Sequence, residues 1–213
     1  MSIEDLQNIV ITTSTYRLEY LLTKVDLLDN PLPALAPVQL FSQADPRWRN
    51  EKLGGTNQTV GGWGCAMTCA CMVYSQYDPS ITPKTFNEIL TIHQGFNYPN
   101  GEAHLAWDRL PQFSPALTWH GRKDWNTRLT DSELAELKAR LEIAPLVLWV
   151  DYKPATARMD THFVLGMAVE GNDIRIYDPA DGQSALLLQR YGLPSHDLQR
   201  AVWGYRDVRC RLV

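Results

Sequence analysis

From Pro145 onward, hydrophobic and polar residues follow a strand-like pattern, with short apolar or alternating runs bounded by turn residues. Strands are predicted at 146–151, 162–169, 173–178 and 201–209, with a weaker one at 184–188. Gly171-Asn172 falls between two of them and predicts a tight turn, which makes 162–178 a hairpin. The first half reads differently. Cys65 to about Tyr77 has no Gly or Pro and is apolar on nearly every face, the mark of a helix in the middle of a core. Thr82-Pro83 supplies an N-cap and first-turn pair for a helix to about Leu90. Gly101 to Leu110 suits another short helix. Thr130-Asp131-Ser132-Glu133 has the capping-box form and opens an amphipathic helix to about Glu142. Helices first and an antiparallel sheet afterwards define an α+β arrangement.

Two stretches stand apart. Residues 38–64 are rich in Gly and Asn and read as loop, with Phe41 and Trp48 as an early aromatic cluster. Residues 1–37 form an N-terminal extension. Ser2 could cap a short helix there, and Leu18, Leu21, Leu22, Val25 and Leu28 have roughly helical spacing before Pro31, Pro33 and Pro37 end it as a linker. The expected division is therefore 1–37 and a main domain over 38–213.

Composition narrows the function classes. A chain of 213 residues with net charge -4 has no basic field to attract nucleic acid. An apolar run such as Leu146–Val150 is strand length and far short of a membrane span. The acidic start, Met1-Ser2-Ile3-Glu4-Asp5, lacks the form of a signal peptide, and cytoplasmic placement is the expectation. Three of the four cysteines (65, 69, 71) crowd together while the fourth is Cys210, which is not a disulfide framework. Cys65 and Cys69 would share a helix face, Cys71 would not, and no CxxC or nearby His completes a zinc site. Neither a metal nor an organic cofactor is expected.

The candidate chemistry begins at Gly61-Gly62-Trp63-Gly64-Cys65. A thiol that opens a helix meets free backbone N–H groups and the positive end of the helix dipole, both of which favour thiolate. A small buried cysteine is the competing reading for Cys65, and the simpler one for Cys69 and Cys71. His162 opens a predicted strand, where it can face a cleft as a base. The other histidines, His93, His104, His120 and His196, lie in polar loop or helix settings and are expected at the surface. Asp178, at the far end of the same hairpin, would fall beside His162 and fix its tautomer. An oxyanion also needs donors. The Cys65 N–H can be one, and the Gln43 side-chain amide is a candidate for the second. Trp63 and Gly64 are expected to border substrate, whereas Trp107 and Trp149 could line the cleft or belong to the core.

Gln43-x-Asp45-x-Arg47-Trp48, then Gly64-Cys65-x-x-Thr68-x-x-x-Met72, then the Pro145-led strand, His162-Phe163-Val164 and Asp178-Pro179 together resemble family 39 of the cysteine peptidases in a stand-alone form. The resemblance spans residues 38 to about 208. It implies a papain-like fold, with Cys65 as nucleophile, His162 as general base, Asp178 as orienter and Gln43 as oxyanion donor. Ala66-Met67 and Ala144 depart from the small residues and glycine expected there. Better-known members cut leader peptides after Gly-Gly and are fused to transporters, a role that does not carry over to a chain without either. Two other readings stay open: a transglutaminase-like acyl transferase, against which the Gln43–Trp48 segment argues, and a papain-like peptide-binding module without turnover.

Overall fold

Apolar residues on both faces of the sheet strands dictate a sheet covered on both sides, and the computed structural model has that form. It describes residues 34–153, 160–192 and 197–212. The expectations for the extension (Ser2, Leu18–Leu28) and for His196 lie outside the described residues. The unit described below runs from Leu35 to Arg211.

In chain order, Leu53–Gly55 is a 3-10 turn, and two helices follow: α1 (Val60–Trp63) and α2 (Cys65–Tyr74). Next come α3 (Pro83–Ile92) and a two-stranded hairpin of β1 (Phe96–Asn97) and β2 (His104–Leu105). After a 3-10 turn at Trp107–Arg109 stand α4 (Leu110–Phe113), β3 (Leu117–Asp124) and α5 (Asp131–Ile143). The chain continues with β4 (Leu146–Asp151), β5 (Thr161–Glu170), β6 (Asp173–Asp178) and β7 (Gln183–Leu186). It closes with α6 (Leu187–Tyr191), α7 (Leu198–Ala201) and β8 (Val202–Cys210). The main sheet has six strands in the order β3-β8-β4-β5-β6-β7, every pair antiparallel.

Two apolar clusters sit on its two sides. One holds Met67, Cys69, Ala70, Met72 and Val73 of α2 against Val147, Leu165 and Val208 of the sheet. Since α2 also packs on α3, it is enclosed nearly all round, as its uniform hydrophobicity requires. The second cluster joins Leu137 and Leu141 of α5, Leu187 and Tyr191 of α6 and Leu198 of α7 to Leu148, Val164 and Ile176. Full burial of a leucine contributes about 2 kcal/mol, so each cluster fixes its helices firmly.

Helix starts follow the predicted chemistry. The Thr82 side chain accepts from Thr85 N, and Thr130 with Glu133 forms a reciprocal capping box. The structure corrects four readings. Gly101–Leu110 is not a helix, because Asn100 and Gly101 take positive φ and the chain then pairs as β2 before the 3-10 turn. The helix from Cys65 stops at Tyr74, where Ser75 caps it. The 184–188 strand ends at Leu186, and Leu187–Tyr191 turns into α6 to bury Leu187 and Tyr191. Finally, β3 is a strand that no apolar alternation announces. It is a sheet edge with polar residues from His120 on, and it carries a bulge between Trp119 and Arg122 where Gly121 has φ +100.

The β5–β6 hairpin is closed by Gly171 at φ +62. Its register runs Glu170↔Asp173, Val169↔Ile174, Ala168↔Arg175, then Gly166↔Ile176 and Leu165↔Tyr177, so Met167 is an extra, bulged residue.

Candidate active site

Cys65 is the first residue of α2, and the backbone before it is drawn tight. Thr59 caps α1 by accepting from Gly62 N, and Gly64 N donates to Val60 O at 2.8 Å. A Cβ on Gly64 would lie 2.5 Å from that Val60 oxygen, so only glycine permits the turn from α1 into α2. Trp63 projects from it, 61% exposed.

His162 is buried near the start of β5. Its Nε2 donates to Asp178 Oδ1 at 2.9 Å, which leaves Nδ1 as the ring nitrogen for another partner. The Cys65 thiol stands close enough to the ring for each group to shift the other's protonation. Two aromatic rings hold the imidazole, Tyr152 with its centroid 4.9 Å away and Tyr191 at 5.7 Å.

The electrostatics follow from this packing. Burial alone would push the Cys65 thiol up. The hydrogen bond and positive charge of His162, with the backbone N–H groups of Phe163 and Ala66, outweigh it and bring the thiol below its ordinary value. Burial alone would depress His162. Its bonds to Asp178 and Cys65 and their negative charges instead push it up to about 9. Asp178 is fully buried, and burial opposes its ionisation, yet His162, Tyr191 and Ala180 N hold its carboxyl well below the usual range. Cys69 and Cys71 are raised well above the ordinary thiol value, chiefly by burial, and half-buried Cys210 is pushed up to about 11 by burial.

Gln43 lies against both halves of the site. Its backbone N donates to Pro179 O at 2.7 Å, immediately after Asp178, and its side-chain Nε2 donates to Gly61 O at 2.9 Å, shortly before Cys65. One N–H of that amide is thus anchored and the other is left over. Trp48, which fixes the same turn by donating from Nε1 to Ser42 O, is buried.

The structure therefore brings Cys65 to the ring of His162 and binds His162 to Asp178, with Gln43 and Gly64 beside them and Trp63 at the exposed edge. Trp107 is buried and stacks on Trp119, and Trp149 is half-buried, so neither stands out as Trp63 does. His93, His104 and His120 are exposed. Among the described residues, no group of three or more His, Cys, Asp or Glu side chains is arranged to hold a metal, and no helix is long and apolar enough to cross a membrane.

Sequence reasoning missed three contributors: Tyr152, Arg190 and Tyr191. Arg190 Nη1 donates to Asp178 Oδ2 at 2.7 Å, and Tyr191 OH donates to the same oxygen. Tyr152 lies two residues beyond Val150, which β4 pairs with His162, so it falls on the imidazole's side of the sheet, a placement that only the register reveals. Arg190 and Tyr191 carried no signal while their segment read as a strand running into loop.

No family model matches the chain, and no curated protein matches it in sequence. A comparison of folds finds a crystal structure from Bacillus anthracis provisionally described as a C39-like peptidase. It is 12% identical, with a TM-score of 0.46, covering 84% of this chain and 98% of that one. A likeness of that degree assigns no activity, and the reading below rests on the side chains.

Proposed function

We propose that this protein is a papain-like cysteine hydrolase that cleaves a peptide or amide bond. The observation that carries the reading is the arrangement at one helix start: a thiol lowered by a buried imidazole that is itself hydrogen-bonded to a buried carboxylate. In this reading the domain spans 38–213, and residues 1–37 are an appendage to it.

The Cys65 thiolate attacks the substrate carbonyl, forming a C–S bond and an oxyanion. The Cys65 N–H and the remaining N–H of Gln43 donate to that oxyanion. The C–N bond then breaks, and imidazolium His162 gives its proton to the departing amine. Water attacks the thioester, His162 takes a proton from it, and the acid leaves with regeneration of the thiolate. Asp178 keeps the imidazole oriented throughout and faces its charged form. Trp63 offers an exposed apolar face to the substrate chain beside the nucleophile. No step calls for a metal or organic cofactor.

The test is digestion of a proteome-derived peptide library, with products read by mass spectrometry, alongside Cys65→Ala. Cleavage products that need Cys65, and a trapped thioester mass on the Cys65 peptide after acid quench, support the reading. Equal product patterns for both proteins would overturn it. Addition of a primary amine separates hydrolysis from acyl transfer, since hydrolysis yields free acids only.

A further inference from the structure

We propose that Arg190 and Tyr191, on α6, are positioning residues that act through Asp178 to set where the proton rests in the Cys65–His162 pair. The inference rests on the reading of that pair given above.

The Asp178 carboxylate is shared. Oδ1 accepts from His162 Nε2 at 2.9 Å and from Ala180 N at 3.0 Å, while Oδ2 accepts from Arg190 Nη1 at 2.7 Å and from Tyr191 OH. Arg190 in turn grips both oxygens of Asp181, at 2.9 and 2.7 Å. Ionised groups thus alternate in sign along the series: thiolate Cys65, imidazolium His162, carboxylate Asp178, guanidinium Arg190, carboxylate Asp181. Both ends of the series reach water, Cys65 being half-buried and the Arg190 and Asp181 side chains 27% and 47% exposed, while its middle is closed, with 6% for His162 and 0% for Asp178.

A carboxylate that served His162 alone would hold a proton on the imidazole as tightly as the site allows. Arg190 places a second cation on the same carboxylate, draws part of its charge and repels the imidazolium through a buried, weakly screening medium. Tyr191 does the same more gently, by hydrogen bonding without charge, and also lies against the imidazole ring. The consequence is a histidine that can still give its proton to a departing amine and take one from water. The other titratable groups around the pair are Cys69 from α2, the Tyr152 phenol after β4 and Asp181 after β6. None of them donates to Asp178 Oδ2, where the described donors are Arg190 and Tyr191. His162, already pushed up to about 9, is where a further upward move becomes visible as lost base function.

The measurement is the pH titration of His162 by NMR in protein labelled with 13C-histidine, its signal assigned by loss in His162→Gln. Arg190→Gln is expected to move the midpoint up by about one pH unit, a tenfold rise in proton affinity. Arg190→Lys should stay near the native midpoint, and Tyr191→Phe should move up by a smaller step. A folded Arg190→Gln protein with an unmoved midpoint overturns the inference. If Arg190→Gln does not fold, an unmoved midpoint in Tyr191→Phe does so instead. Cys65→Ala separates the two levels of the argument. If it leaves the native His162 titration unchanged, the Cys65–His162 pair itself is wrong, whereas a response there with none to Arg190→Gln removes only the role of α6.

Discussion

His162 and Asp178, 16 residues apart, meet at 2.9 Å because they occupy the outer ends of the two strands of a single hairpin. The acid and its imidazole are therefore one local unit, and what Asp178 holds extends beyond it to Arg190 and Tyr191. Asp178→Ala leaves those donors facing an apolar gap. We expect a loss of about 3 kcal/mol of stability, measured by urea unfolding, and a smaller loss for Asp178→Asn.

Alkylation should single out one thiol. At pH 7, iodoacetamide is expected to modify Cys65 well before Cys69, Cys71 or Cys210, all of which burial holds protonated. Mapping the adduct by mass spectrometry checks the order. In His162→Ala most of the advantage should vanish, since only the backbone N–H groups of Phe163 and Ala66 then oppose burial at Cys65. A first adduct on another cysteine would contradict the assignment.

Gln43→Ala should separate thiol reactivity from turnover. Loss of an oxyanion donor costs about 10²–10³ in kcat, while alkylation forms no oxyanion and should change little. A variant that lost both equally would mark Gln43 as a structural tie between Gly61 and Pro179 rather than a donor to substrate.

The pH dependence has a definite sign. Hydrolysis should fall at high pH as His162 loses its proton near about 9, and at low pH as Cys65 gains one at a value below that of an ordinary thiol. Stability follows Asp178 at the acid end. Its carboxyl is held below the unfolded value of ~3.9, so its contribution is present above that pH and lost as pH falls through the folded value. Asp178→Asn should accordingly show a shallower acid transition than the native protein.

Gly64→Ala tests the turn that presents the nucleophile. The new methyl would meet Val60 O at 2.5 Å, so α1 and α2 must part. A destabilisation of about 1–3 kcal/mol is expected in thermal or urea unfolding, the usual range for overpacking.

The parts of the fold legible in the sequence were those with strong local rules. Capping at Thr82 and Thr130, the run around Leu148 and the Gly171 turn each dictate their own structure. What escaped was set by distant partners. Polar β3 is a strand because β8 offers it an edge, and Leu187–Tyr191 winds into a helix because the sheet face needs covering. The same division runs through the site. Cys65, His162 and Asp178 could be named from helix start, strand start and hairpin end, and their contact is read from the fold. Arg190 and Tyr191 could not, since their approach to Asp178 depends on a helix that alternation concealed.

The bulged Met167 has a consequence for parity. Past it, the register opposes Leu165 to Tyr177, and the same register continued one step sets Val164 across from Asp178. Val164 and His162, two residues apart, share a side of the sheet, so Asp178 shares it too. Were Met167 paired in the ladder instead of bulged out, Asp178 would stand opposite Leu165 and turn to the other side, away from the imidazole. One residue too many in β5 thus acts as an odd-numbered spacer: drawing Met167 into the ladder would exchange the hydrogen bond for an apolar neighbour while leaving every polar side chain of the site in the sequence, whereas deleting it would leave Gly166 opposite Ile176 and the site in register.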